Sequence, residues 1–348
     1  MNPYVLTLLL SSLGLGTTLT FMSSHWLLAW MGLEINTLAI IPLMAQKHHP
    51  RAVEATTKYF LIQATAAAMI LFAASTNAWV MGQWDINHMS HPLTSAMAMT
   101  ALALKVGLAP LHLWLPEVLQ GITISTGLIL STWQKLAPLA LIMQTAHFTH
   151  PLLLTTLALS SALIGGWGGL NQTQLRKILA YSSIAHLGWM ILVSQMAPQM
   201  TLLALITYII MTSAAFLTLD NIKCTKTITL ASAWTKAPVL TALACLLLLS
   251  LGGLPPLTGF MPKWLIIQEL ASQGLALTAT IIALSALISL FFYLRLAYAV
   301  TLTLSPQTSY ATTPWRAPTK TATLPLSLVT ILATCLLPIT PTVFTLLT

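Results

Sequence analysis

Apolar residues run through this chain in stretches of about twenty, one after another, and that spacing leaves little choice of fold. Eleven candidate spans fall at about 3–23, 25–45, 55–80, 94–116, 122–145, 149–170, 174–196, 198–222, 237–271, 274–302 and 323–347. About 20 apolar residues suffice for a helix to cross about 30 Å of hydrocarbon. Of 348 residues 57% are hydrophobic and only 6% charged, and the mean hydropathy is +0.84, which excludes an ordinary soluble domain. Inside a bilayer the backbone must satisfy its own polar groups. The sequence therefore predicts an all-α integral membrane protein of about eleven helices, with residues 1–348 forming a single membrane domain. The ninth stretch is too long for one simple crossing. Met1-Asn2-Pro3 leads directly into the first span, so no separable targeting segment is expected. Cys224, Cys245 and Cys335 have no paired spacing for a disulfide framework, a metal or an iron–sulfur cluster and read as small packing residues.

The basic residues predict orientation. Loops after even-numbered spans hold Lys47, Arg51, Arg176, Lys177, Lys223, Lys226, Lys236, Arg316 and Lys320, and Lys58 and Arg295 lie near span ends on that side. Loops after odd-numbered spans hold none; 81–93 carries Asp85, His88 and His91, and 146–150 carries His147 and His150. By the positive-inside rule the N-terminus faces the cytoplasm or the mitochondrial matrix and the C-terminus lies opposite. The net charge of +8 then reflects topology, and no nucleic-acid partner is expected.

The three remaining lysines, Lys105, Lys135 and Lys263, lie within apolar stretches, as does Glu34. A charge at the bilayer centre costs about 2.5–3.5 kcal/mol on insertion scales, so such residues rarely persist without a task. Lys105 is about 17 Å into its span and Glu34 about 14 Å, at 1.5 Å per residue. A lysine stem reaches ~6 Å, too short to snorkel from there. Two readings remain: proton-handling groups, or a structural ion pair between Glu34 and Lys105. At 4 Å and an effective dielectric of 20 such a pair gains about 4 kcal/mol, so a small change in separation changes the proton affinity of both partners.

Prolines point to the same region. Span four reads Lys105-Val-Gly107-Leu-Ala-Pro110-Leu-His112-Leu-Trp114-Leu-Pro116-Glu117, and span nine contains Gly252-Gly253-Leu254-Pro255-Pro256. Proline removes a helical hydrogen bond, and broken backbone at membrane depth is tolerated only within protein or beside water. Gly107-Leu108-Ala109-Pro110-Leu111 with Pro116-Glu117 aligns without gaps on Gly253-Leu254-Pro255-Pro256-Leu257 with Pro262-Lys263. Each break lies in the fourth span of a five-span set. The expectation is two inverted five-helix repeats, about 1–145 and 149–302, with discontinuous fourth helices and an accessory C-terminal helix at about 323–347.

The motif Lys105-x-Gly-x-x-Pro110-x-His112-x-Trp114-Leu115-Pro116 resembles that of the antiporter-like membrane subunits of respiratory complex I, which are related to cation/proton antiporters. The opening Met1-Asn2-Pro3, the length and the short N-terminus are similar to the vertebrate mitochondrial members. The resemblance covers essentially the whole chain. It implies that Glu34 and Lys105 form the switching pair, that Lys135 is the central lysine of the following helix, linking the two half-units, and that Lys263 is the lysine near the second broken helix. It also implies that His112 and His186 extend a hydrated axis, and that protons move on quinone reduction elsewhere in the complex. The implied partners are other core and accessory subunits, neighbouring antiporter-like subunits among them, and membrane lipids. No redox cofactor, metal or direct NADH binding is expected in this chain; flavin and iron–sulfur clusters would lie in other subunits. The implied location is the mitochondrial inner membrane, with the N-terminus on the matrix side and the C-terminus on the intermembrane-space side. Bacterial relatives carry three more N-terminal helices, which bears on subunit contacts more than on proton conduction.

His186 occupies in the second repeat roughly the place of Glu34 in the first, and reads either as a switching group or as a histidine bonded to a backbone carbonyl. Glu117 and Glu269 lie at span ends, where Glu117 is a candidate for proton exit, and His48-His49 reads as interfacial rather than metal-binding. Trp26, Trp79, Trp84 and Trp315 flank spans as an interfacial belt would. Two other functional classes stay open: a bracing subunit without its own proton path, and a free-standing cation/proton antiporter. The latter is disfavoured by the lack of a carboxylate-rich sodium site.

Overall fold

The computed structural model describes residues 2–46, 49–89, 91–235, 237–302 and 324–347, which are helical with no named strand among them. In order, the helices are α1 (Pro3–Met22), α2 (Trp26–Met44), α3 (Pro50–Met81), α4 (Pro92–Val106), α5 (Trp114–Gly121), α6 (Ile124–Ser131), α7 (Trp133–Thr145) and α8 (Pro151–Gly169). They continue as α9 (Leu175–Val193), α10 (Pro198–Ile222), α11 (Thr227–Ala231), α12 (Pro238–Gly252), α13 (Phe260–Ser272), α14 (Ala276–Leu302), α15 (Leu324–Cys335) and α16 (Thr340–Leu347). Six helices open on a proline, where the missing N–H costs no helical bond and φ is already suitable. Asn2, His25 and His49 cap the next backbone N–H groups with their side chains.

Residues 1–161 with 194–196 form one compact unit, and 162–193 with 197–348 a second. In the first, α1 and α2 cross closely because Gly16 meets Gly32: a Cβ on Gly16 would lie 2.8 Å from the Gly32 carbonyl, and one on Gly32 2.6 Å from Thr20 Cγ2. Small residues at such crossings let two membrane helices make continuous van der Waals contact. Helix α3 packs on α2, α4 and α5, and α7 packs on α1 and α4. In the second unit α10 is central, touching α9, α12, α13, α15 and α16, while α14 lies against α12 and α13.

Among the described residues six helices are long and apolar enough to cross a membrane, and a seventh crossing is available if α15 and the segment after it, bent by 69°, act as one. The chain is thus a multi-pass membrane protein. Both proline-rich breaks fall where the sequence places them, with 107–113 separating α4 from α5 and 253–259 separating α12 from α13. A third interruption, between α6 and α7 at Thr132 (φ −109°, ψ −68°), falls inside the stretch read as continuous from 122 to 145. Its cause is local. The Leu128 carbonyl accepts from the Thr132 backbone N–H at 3.0 Å, from Thr132 Oγ1 at 2.7 Å and from Ser131 Oγ at 3.0 Å. Hydroxyls bonding back onto a helical carbonyl compete with the ladder and bend the helix. Lys47, His48, Lys236, Trp315, Arg316 and Lys320 lie outside the described residues.

Candidate functional site

Helix α4 ends where Gly107 takes a left-handed conformation (φ +87°), and its N–H closes on the Ala103 carbonyl at 2.9 Å. Side chains take up the carbonyls freed by the break. Trp114 Nε1 donates to Leu104 O at 3.1 Å, Gln63 Nε2 to Lys105 O at 3.2 Å, and Ser160 Oγ to Ala109 O at 3.1 Å. His112 is buried, with Nδ1 3.3 Å from Pro110 O. Irregular backbone at membrane depth is stable on these terms.

Lys105 sits in the last turn of α4, and its side chain turns into a cavity of about 20 Å³ shared with Lys135 of α7. Both lysines are buried, at 5% and 2% exposure. Neutral polar groups from three helices complete the wall: Asn36 and Thr37 on α2, Gln63 on α3 and Gln134 on α7. Neither the Lys105 ammonium nor either side-chain polar atom of Asn36 has a hydrogen-bond partner. Buried polar groups nearly always find partners, and a polar space of this size has room for a water molecule. A wall of this kind suits hydrated protons.

Glu34 lies one step behind that wall. It is half-buried and accepts a hydrogen bond from Thr37 Oγ1 at 3.0 Å. Among the described residues no ion pair of 4.0 Å or less joins Glu34 to Lys105. Glu117 is elsewhere. Its carboxylate meets Lys58 at 2.8 Å, and Lys58 also meets Glu54 at 2.8 Å, tying α5 to the exposed first turns of α3.

The second unit builds a smaller counterpart. Helix α12 ends at Gly253 in the same left-handed conformation (φ +81°). Lys263, ten residues on in α13, reaches back and donates from Nζ to the Gly252 carbonyl at 2.7 Å. Its side chain also lines a cavity of about 10 Å³ with His186 of α9, Ser182, Ser289 and Tyr293. His186 packs on Tyr208, ring centres 5.6 Å apart. The pairs brought to common cavities are therefore Lys105 with Lys135 and Lys263 with His186. Pro255 and Pro256 lie in the second break as Pro110 lies in the first. Among the described residues no cluster of three or more His, Cys, Asp or Glu is placed to hold a metal ion. Reading only ionisable residues passes over Asn36, Thr37, Gln63 and Gln134; their signal in the sequence is their position as uncharged polar residues within apolar stretches.

Comparison with known proteins decides the family. The model of the NADH:quinone oxidoreductase/Mrp antiporter transmembrane family matches residues 23–289, and that of the NADH dehydrogenase subunit 2 C-terminus matches 290–344. The chain belongs to this family. The NADH-ubiquinone oxidoreductase chain 2 of Carassius auratus is 72% identical over 348 residues, covering 100% of both chains, and that of Danio rerio is 68% identical over the same span. A chain of respiratory complex I from Thermus thermophilus, solved with aureothin bound, superimposes with a TM-score of 0.84 at 29% identity over 97% of this chain and 79% of that one. A chain of the Mrp complex from Dietzia superimposes with a TM-score of 0.83 at 15% identity, over 97% and 76%, a likeness of fold alone.

Proposed function

We propose that this antiporter-like membrane subunit of respiratory complex I carries protons through two half-paths, one built on Lys105 and Lys135 and the other on His186 and Lys263. The observation that carries the reading is the first cavity: two lysines from separate helices, both buried, face one polar space large enough for water. Burial of two ammonium groups in an apolar bundle is costly, and a shared hydrated space gives each a partner with which to exchange a proton. Glu34 stands behind Thr37 as the carboxylate of the first half-path, while Glu117 with Lys58 serves at an aqueous end.

Counting each interrupted pair as one crossing and leaving out the short α11 gives eleven spans, with α4/α5, α6/α7, α12/α13 and α15/α16 crossing as broken helices. The two repeats, about 1–145 and 149–302, then run in opposite directions, a reading supported by the matched left-handed glycines Gly107 and Gly253. The chain resides in the mitochondrial inner membrane with its N-terminus on the matrix side. Its neighbours are other core and accessory subunits and lipids. It holds no flavin, iron–sulfur cluster or nicotinamide itself; those belong to other subunits.

Lys135→Met tests the central assignment, since it keeps a long side chain and removes the proton carrier. The complex is expected to assemble and to pump fewer protons per NADH oxidised. Normal stoichiometry in the assembled variant would refute the role of Lys135, and failed assembly would favour a bracing role. For Lys263 alone a structural reading has its own support, because its ammonium already caps the end of α12.

A further inference from the structure

We propose that the Thr37 hydroxyl is the relay through which a proton passes between the Glu34 carboxylate and the cavity that holds Lys105 and Lys135. The inference deepens the proton-translocation reading and rests on it. Thr37 is 7% exposed and lines the cavity, whereas Glu34 does not. Its Oγ1 lies 3.0 Å from Glu34 Oε2 and 2.8 Å from the Glu34 backbone carbonyl. The single hydroxyl proton of this cavity-lining residue is thus within reach of two acceptors, the Glu34 carbonyl and the Glu34 carboxylate.

A hydroxyl carries one donor and two acceptor lone pairs, so it can receive a proton on one side as it gives one up on the other. In the step proposed, Thr37 O–H delivers its proton to Glu34 Oε2 while a proton from a protonated water in the cavity bonds to Oγ1. The carboxylate becomes a carboxylic acid, the water becomes neutral, and the hydroxyl is regenerated. Asn36, next to Thr37 on α2, also lines the cavity; its side chain packs against Gly16 of α1, and neither of its polar atoms is hydrogen-bonded. The missing direct contact between Glu34 and Lys105 is then the expected arrangement, because the proton travels by way of Thr37 and the cavity.

The test compares Thr37→Val with Thr37→Ser in the assembled complex. Valine keeps the branched shape and loses the hydroxyl; serine keeps the hydroxyl and loses a methyl. Positioned proton transfer contributes on the order of a hundredfold or more, so NADH-driven pumping is expected to fall at least tenfold in Thr37→Val and less than about twofold in Thr37→Ser. The solvent deuterium isotope effect on coupled turnover is expected to rise in Thr37→Val as the interrupted transfer becomes limiting. A purely structural loss would lower the amount of complex and leave that isotope effect unchanged. If Thr37→Val fails to assemble, Thr37→Cys takes its place, since a thiol is a weak donor and acceptor, and the same loss is expected. Wild-type pumping in assembled Thr37→Val or Thr37→Cys, or equal losses in the serine and hydroxyl-free variants, would overturn the relay. Lys135→Met, run in parallel, separates the two levels: pumping lost there but intact in Thr37→Val refutes the relay alone, and pumping intact in both refutes the pathway.

Discussion

Gly253→Ala places a methyl group where the Lys263 side chain passes, and the cost divides into two parts that can be measured separately. A Cβ at Gly253 would lie 2.9 Å from Lys263 Nζ, 3.0 Å from Lys263 Cδ and 3.2 Å from the Gly259 carbonyl. The backbone there is left-handed (φ +81°), which costs a residue with a Cβ about 1–2 kcal/mol. The lysine, being the flexible neighbour, must move, and its 2.7 Å bond to the Gly252 carbonyl is lost. A hydrogen bond to a charged group contributes about 1.5–3 kcal/mol, so the sum is about 2.5–5 kcal/mol. Gly107→Ala is the matched control. It has the same left-handed backbone (φ +87°), but its Cβ would meet only Leu115 Cδ1 at 3.1 Å and the Trp114 ring at 3.4 Å. Its expected cost is about 1–2 kcal/mol. The assay is the denaturant midpoint for loss of the assembled complex, measured for both alanine variants, for Lys263→Met, and for Gly253→Ala combined with Lys263→Met. In the methionine background the bond is already absent, so Gly253→Ala should cost only its backbone part and the cycle should show coupling of about 1.5–3 kcal/mol. Costs that add to within about 0.5 kcal/mol would show that Gly253 and Lys263 act independently, and the back-reaching lysine would then not hold the break together.

Two further outcomes follow from the first unit. Glu34→Gln is expected to slow NADH-coupled pumping in an assembled complex, with Glu34→Asp milder because it retains a carboxylate beside Thr37; pumping assays on membrane vesicles check both, and an unaffected Glu34→Gln would remove Glu34 from the path. Combining Ser131→Ala with Thr132→Val frees the Leu128 carbonyl from two hydroxyl donors, so α6 and α7 should become more nearly continuous and Lys135 should shift from the cavity. A structure of that variant complex tests the geometry and its proton stoichiometry tests the consequence; an unchanged interruption would refute the hydroxyl account.

The apolar, helical character of the chain and both principal breaks were legible because their causes are local. A run of apolar residues has to bury its backbone in a helix, and Pro110, Pro255 and Pro256 interrupt hydrogen bonding wherever they fall. The interruption at Thr132 was hidden for a related reason: serine and threonine are common within membrane helices, and only the geometry shows both hydroxyls converging on one carbonyl. The lysines announced themselves by the cost of burial. Their surroundings did not, because Asn36, Thr37, Gln63 and Gln134 carry no charge, and residues from α2, α3 and α7 come together only in the folded unit. Lys58, which the sequence places near a span end, binds Glu117 from 59 residues away, a pairing no local pattern encodes.

The two breaks also show how equivalent positions can be filled by different routes. In the gapless alignment Lys263 falls opposite Glu117, and Lys105 has no lysine counterpart. By sequence the two lysines are unrelated. In the structure each brings an ammonium group to the C-terminal end of the first half of a broken helix: Lys105 from the last turn of α4 itself, and Lys263 by reaching back across the break to the end of α12. That end carries the negative pole of the helix, which favours a cation. The difference in route has a chemical consequence. The Lys263 ammonium spends one of its donors on the Gly252 carbonyl, whereas the Lys105 carbonyl is satisfied by Gln63, and the Lys105 ammonium stays without a hydrogen-bond partner at the polar cavity. Lys105 is therefore the freer of the two to exchange a proton, and Lys263 the more firmly held. On this argument the first unit carries the larger share of switching, and the loss of coupled pumping should be greater for Lys105→Met than for Lys263→Met once both are compared at equal amounts of assembled complex. The reverse order would mean that the bond to Gly252 is broken during turnover and that the second break is the moving part.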